Sequence, residues 1–282
     1  MIRAAFFIIS LIICNQLSAW QTLDLPEREE SFQTGTEIIA SIVDLPIQER
    51  EQYLLKEVLK GNVPSFLREM IAIKGKALIA GENKQITYYV IADYLALGSN
   101  EDYFLCPMTP LLAQKIADEL NCILPTRKMV NQIWEAASVK MEPEPIPPNP
   151  EMATVPIFAQ HNAMVLKQRN VYLSEKPLSS LVSGHKKDVV ISNKIYGNPT
   201  PKRVVIYGWH FQTGKNIQPL YSGHVNTYVD YSHGVRLVQN EVFVNGDTLL
   251  ATDILKSSKS NGLLSDEGRI QKPFYPDSTQ RN

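Results

Sequence analysis

The stretch KGKALIAGENKQITYYVIADYLAL, residues 74–97, decides the fold class. Its arms, Lys74 to Ala80 and Gln85 to Leu97, flank the turn residues Gly81-Glu82-Asn83, and Ile86, Tyr88 and Val90 alternate with Thr87 and Tyr89. A period of two in β-branched and aromatic residues predicts a strand pair. Upstream, IQEREQYLLKEVLKG (47–61) puts Ile47, Tyr53, Leu54, Val58 and Leu59 roughly on one face and ends on Gly61, which predicts a helix with a glycine stop. A second short helix is expected near Pro64. Downstream, Thr109-Pro110 opens LLAQKIADEL, and Thr126 precedes RKMVNQIWEAA. Threonine as N-cap, with proline tolerated in the first helical position, makes both starts legible.

A further helix is expected over Val155 to Gln168, after which the pattern turns to β. The predicted strands are Asp188 to Ile195, Arg203 to Phe211, His224 to Tyr231, Val235 to Val238 and Glu241 to Val244. Asn245-Gly246-Asp247 is a turn signal, with a last short helix expected from Asp247 or Thr248 through Leu255. Helices early and strands late imply an α+β fold, with a helix-rich N-terminal half and a predominantly antiparallel β-sheet in the C-terminal half.

The opening MIRAAFFIISLIICNQLSAW has one cation, Arg3, then an apolar run from Ala4 to Cys14, then the small pair Ser18 and Ala19. This is the layout of a secretory signal over residues 1–19, so the expected location is secreted or periplasmic. The apolar run falls well short of the roughly 20 residues a membrane span needs. A lipoprotein anchored at Cys14 is the alternative, weakened because Ile13 is bulky where a small residue normally stands. Residues 20–140 then form a helix-rich α/β region. The run MEPEPIPPNP (141–150) reads as a stiff extended linker. Residues 151–255 form a β-rich region, and 256–282 a disordered tail.

Cleavage removes Arg3 and no acid, leaving 27 Lys plus Arg against 29 Asp plus Glu, a formal charge of −2. Without a clustered basic face, a nucleic-acid partner is excluded as an expectation. Cys106 and Cys122 flank a helix spanning on the order of 15 Å, whereas a disulfide needs Cα atoms within roughly 7 Å. Two reduced, buried cysteines are expected.

All five histidines, His161, His185, His210, His224 and His233, lie in the C-terminal half. The segment GHVNTYVDYSHGVRLV holds His224, Asp230, Tyr231, Ser232, His233 and Arg236, side chains that move protons or hold anions. On one straight strand His224 and Asp230 would sit about 20 Å apart. A turn over Asp230 to Gly234 instead gathers Asp230, Ser232 and His233 at one rim. His185 and Asp188 precede a strand, where loop residues often serve catalysis. His161 and His210 read as core. Ser183 lacks the first glycine of a Gly-x-Ser-x-Gly elbow. There is no His-Glu-x-x-His, Cys-x-x-Cys or aspartate-rich calcium loop, which leaves metal and cofactor requirements open.

Gly223-His224-Val225 through Tyr228 resembles the histidine strand of the NlpC/P60 cysteine peptidases of the bacterial cell wall. The resemblance implies a cysteine at a helix N-terminus, and the candidate is Cys106. It departs from that pattern, lying between Leu105 and Pro107, three residues before the helix start at Thr109-Pro110.

The leading expectation is an exported hydrolase acting on a cell-envelope or environmental polymer or peptide. Its site comprises His185, His224, Asp230 and His233: one histidine is the general base, Asp230 orients it, and Arg236 or Tyr231 stabilises negative charge. The alternative is a non-catalytic exported module binding glycan or peptide through Tyr207, Trp209, Tyr221, Tyr228 and Tyr231.

Overall fold

The computed structural model describes residues 22–197 and 202–276. The expected signal at 1–19, with Cys14, lies outside them. Helix α1 (Gly35–Ile42) is closed by a reciprocal capping box between Thr34 and Glu37. Helix α2 (Ile47–Leu59) follows, and a single 3-10 turn, Ser65–Leu67, stands where a helix after Pro64 was expected. Strands β1 (Met70–Ile79) and β2 (Glu82–Ile91) pair antiparallel from end to end, as alternation predicts. The second arm stops at Ile91, and Ala96–Gly98 is a separate strand, β3, paired with β4 (Tyr103–Leu105). The interruption, residues 92–95, proves central to the candidate site.

Helix α3 (Pro110–Glu119), strand β5 (Cys122–Ile123) and helix α4 (Arg127–Ala136) follow, with Thr109 and Thr126 each accepting from the third residue of its helix. Cys106 and Cys122 are free and buried. Strand β6 (Val139–Lys140) leads into the proline-rich segment. That segment runs without regular structure but is not a loose connection: Met141 and Ile146 are buried, and Glu142 exchanges bonds with Gln168. Helix α5 (Val155–Tyr172) extends past the expected end.

Strand β7 (Val182–Ser183) pairs parallel with β6. Strands β8 (Lys187–Val189), β9 (Ile206–His210), β10 (Asn216–Tyr221) and β11 (His233–Gly234) form a second sheet in the order β10-β9-β8-β11, in which β11 lies parallel to β8. The predicted strand His224 to Tyr231 does not form. His224 O accepts from Val204 N, Lys202 O accepts from Asn226 N, and Val225 O accepts from Tyr228 N, so the chain reverses there.

Strands β12 (Val238–Gln239), β13 (Glu241–Val244) and β14 (Asp247–Leu250) return to the first sheet, whose order is β14-β13-β2-β12-β5 with β1 on the remaining edge of β2. Strands from the C-terminal half therefore complete a sheet begun in the N-terminal half. Asp247 starts β14 rather than a helix, and α6 (Ala251–Lys256) comes after it. The disordered-tail expectation fails over 256–276: Leu263, Leu264, Ile270 and Tyr275 are buried there. The architecture is α+β. Among the described residues no helix is long and apolar enough to cross a membrane.

Candidate functional site

The two sheets meet where residues 92–95 leave β2. Val182 N donates to Ala92 O, Leu95 N to Val235 O, and Ile91 N to Leu237 O, so three distant segments share one backbone junction. Two glycines allow it to close. Gly184 takes φ +109°, and a Cβ there would lie 2.2 Å from Met141 O; a Cβ on Gly234 would lie 2.6 Å from the Tyr94 ring.

Into this junction point side chains that are costly to bury unpaired. Asp93, Tyr94, His185, Lys186, Asp188 and Arg236 are all buried. The Tyr94 hydroxyl donates to Asp188 Oδ2 at 2.8 Å, and Tyr94 N donates to Asp93 Oδ1 at 2.7 Å. The Arg236 guanidinium lies over the Tyr94 ring at 4.4 Å, with Nε 4.0 Å from Asp188 Oδ1. Its terminal nitrogens donate to Ile91 O and Val182 O. His185 Nε2 sits 3.1 Å from Asp93 Oδ1. That approach is off the N–H axis, so neither imidazole nitrogen has an aligned hydrogen-bond partner, and the contact counts as charge proximity rather than a formed hydrogen bond.

Beside this set, Lys186 Nζ donates to Tyr231 O at 2.6 Å and lies 3.1 Å from His161 Nδ1. Burial, reinforced by Lys186, holds the His161 pKa far below the ordinary value, so its ring accepts from the amine. Burial pushes Lys186 down to about 7, against the pull of Asp230 and Asp93. It pushes Asp188 up to about 7, against Arg236 and the Tyr94 hydroxyl. Burial also lowers the His185 pKa, so the ring is neutral, and Asp93 is held below its ordinary value despite its own burial by the facing Arg236 guanidinium and the Tyr94 N–H. The junction thus holds an amine and a carboxyl both shifted by burial toward neutrality, beside an imidazole with no aligned partner.

A second set lies across the β8/β11 pairing. Asp230 Oδ1 accepts from Ser232 N at 2.8 Å and from Ser232 Oγ at 2.5 Å, the turn expected from the sequence. His233 is buried, and neither ring nitrogen has a partner. Burial lowers its pKa to about 4. The Tyr228 hydroxyl donates to Asp230 Oδ2 at 3.3 Å, and its ring stacks on His224 at 4.2 Å. Tyr221, 43% exposed, lies edge-on to His224. His224 thus stands at a half-buried rim, joined to Asp230 only through Tyr228.

The expected site residues therefore fall into two groups, His185 and Arg236 in one, beside the unexpected Asp93, and Asp230, His233 and His224 in the other. Arg236, expected to stabilise negative charge, lies in the first group near Asp188, whereas the Tyr231 hydroxyl is engaged elsewhere. Arg236 holds two main-chain carbonyls, and the Tyr231 hydroxyl accepts from Ile146 N at 2.8 Å and donates to Ile146 O at 3.1 Å, pinning the proline-rich segment. Cys106 carries no nucleophile: burial raises its thiol pKa, and Sγ donates to Phe104 O. Tyr207 and Trp209 are buried, so the aromatic face of β9 is core.

Sequence reading missed Asp93, Tyr94 and Lys186. Asp93 had a signal, a lone acid inside the apolar run VIADYLAL. Trp209 had none. It adopts φ +57°, rare for a bulky residue, while its backbone N donates to Lys186 O and its indole to His185 O. This strained residue clamps both carbonyls of the His185-Lys186 pair. Among the described residues, no group of three or more His, Cys, Asp or Glu is arranged to hold a metal ion. No family model matches the chain, and no curated protein or solved structure matches it.

Proposed function

We propose that the chain is an exported hydrolase of a cell-envelope or environmental polymer, working by acid–base chemistry at the junction of the two sheets. The observation that carries the reading is the 3.1 Å approach of His185 to Asp93 beside Lys186 and Asp188. In this scheme neutral His185 takes the proton of an attacking water and ionised Asp93 holds the imidazolium that results. Asp188, protonated up to about neutrality, supplies the proton to the leaving group. Export is inferred from residues 1–19 alone. Because the set is buried, the proposal requires a covering contact to open, and it assigns that opening to the Tyr231 to Ile146 latch on the proline-rich segment.

Mass spectrometry of products released from peptidoglycan and from mixed peptides tests this. The purified protein releases fragments; His185→Gln and Asp93→Asn, each confirmed folded by its thermal transition, release none. Full release by both folded variants sinks the assignment. A second reading, a non-catalytic glycan- or peptide-binding module, draws on the exposed Tyr221 beside the His224 and Tyr228 stack. It is favoured if the wild-type protein binds such polymers and releases nothing.

A further inference from the structure

The hydrolytic scheme makes no use of Lys186, a primary amine buried at the sheet junction. Lys187, one residue on, lies over the Trp209 ring at 4.8 Å and stays partly exposed. The Lys186 stem instead packs against Gly234, where a Cβ would lie 2.8 Å from the lysine's own Cβ, and its amine reaches helix α5.

That amine has two contacts, and both are neutral acceptors: Tyr231 O at 2.6 Å and His161 Nδ1 at 3.1 Å. Among the described residues no carboxylate lies within ion-pair distance of it, and Asp230 and Asp93 act on it only from farther away. A buried ammonium is ordinarily paired with an acid. In the charged form Lys186 would bring three N–H groups to two acceptors and leave one unsatisfied out of water. In the neutral form both N–H groups are satisfied, and the lone pair takes the remaining tetrahedral position, which no donor among the described residues occupies. Burial pushes the same way, lowering the amine to about 7. A buried lysine held neutral is a nucleophile.

We propose that Lys186 is a carbonyl-reactive amine, forming a reversible imine with a small aldehyde or ketone admitted when the Tyr231 to Ile146 latch opens. Tyr231 links the two events, because its carbonyl accepts from the amine while its hydroxyl holds Ile146. The amine lone pair attacks the carbonyl carbon and one amine proton passes to the carbonyl oxygen. The resulting hydroxyl takes a proton from solvent and leaves as water, so a protonated imine remains on Nζ. Its positive charge stands where Asp230 and Asp93 already favour a cation. The inference goes beyond the hydrolase reading and uses none of its reacting groups.

Reductive alkylation tests it. The purified protein is incubated at pH 7 with propanal and cyanoborohydride, and peptide mapping by mass spectrometry gives the rate at each lysine. Lys186 is alkylated roughly tenfold or more faster than any other lysine, because a solvated lysine is almost wholly protonated at that pH. Tyr231→Phe, confirmed folded by its thermal transition, raises the rate further, and in urea the advantage vanishes. Labelling of Lys186 no faster than elsewhere in both the wild type and Tyr231→Phe, or an advantage that survives urea, overturns the proposal. Polymer hydrolysis without Lys186 labelling overturns this inference alone, and labelling by a protein that releases no fragments supports the amine and counts against the hydrolase alone.

Discussion

The two polar clusters on either side of the β8/β11 pairing are built on opposite terms. The outer one is local: Asp230 binds Ser232 two residues on, and Tyr228 reaches Asp230 two residues away. The inner one is assembled from chain segments far apart, with Tyr94 and Asp188 separated by 94 positions and Arg236 and Ile91 by 145. A local cluster needs only its own turn, whereas the inner one exists only if both sheets are docked. Removing one partner of a buried charge set leaves the others unpaired and desolvated.

Arg236→Leu is the strongest way to break that contrast. It leaves ionised Asp93 without its facing guanidinium and the Ile91 and Val182 carbonyls without their donors. The expected loss is about 3–5 kcal/mol, the range for breaking a buried pair. Ser232→Ala, which removes one short hydroxyl bond to Asp230, is expected to cost about 1 kcal/mol. Denaturant titration of both variants checks this, and equal losses would mean that the inner cluster is no more deeply built in than the outer.

The inner cluster also predicts two opposing pH dependences. Asp188 is raised from 3.8 to about 7 in the folded protein. Between those values the folded state holds a proton that the unfolded chain has lost, so stability falls as pH rises from about 4 to about 7. Lys186 is lowered from 10.5 to about 7. Between those values the unfolded chain holds the extra proton, so stability rises as pH goes from about 7 to about 10.5. Folding free energies measured against pH isolate each term by difference: wild type loses ground to Asp188→Asn across the lower window and gains on Lys186→Met across the upper. Parallel curves in either comparison would show that the group is solvated.

The same contrast of local with long-range explains how much could be read from the chain. Helices with Thr109 and Thr126 caps, the hairpin from Lys74 as far as Ile91 and the Asp230 to Gly234 turn were legible because their determinants lie within a few residues of one another. Position 224 was misread as strand because Val225 and Tyr228 have strand propensity, while the reversal depends on bonds to residues 202 and 204 from another segment. The tail at 256–276 has a polar composition, yet Tyr275 finds Val190 and Val205 to bond. Asp93 and Lys186 were passed over for the same reason. Asp93 stands out only as a lone acid in an apolar run and Lys186 not at all, and the charges that face both come from distant segments when the sheets meet.

Tyr231 joins the inner cluster to the proline-rich segment, and its hydroxyl makes two neutral bonds to Ile146. Tyr231→Phe removes both and leaves the buried Ile146 N–H and C=O unpaired, an expected cost of about 1–3 kcal/mol. Hydrogen exchange should localise the change, with faster exchange across 142–150 and none added in β1 or β2. Unchanged exchange there would remove the latch from the proposed entry route.

The smallest expected effect falls on the rim. His224 is half-buried and stacks on Tyr228 at 4.2 Å without contacting Asp93, His185 or Lys186. His224→Ala forfeits that stacking, about 0.5–1.5 kcal/mol at most, and under the inner-cluster reading it leaves product release within about twofold of wild type, a barrier change of roughly 0.4 kcal/mol. His185→Gln abolishes release. If the two histidines exchange these outcomes, the chemistry belongs to the outer cluster, where Asp230 and His233 sit beneath Tyr228, and the junction of the sheets is a charged core that only holds the fold together.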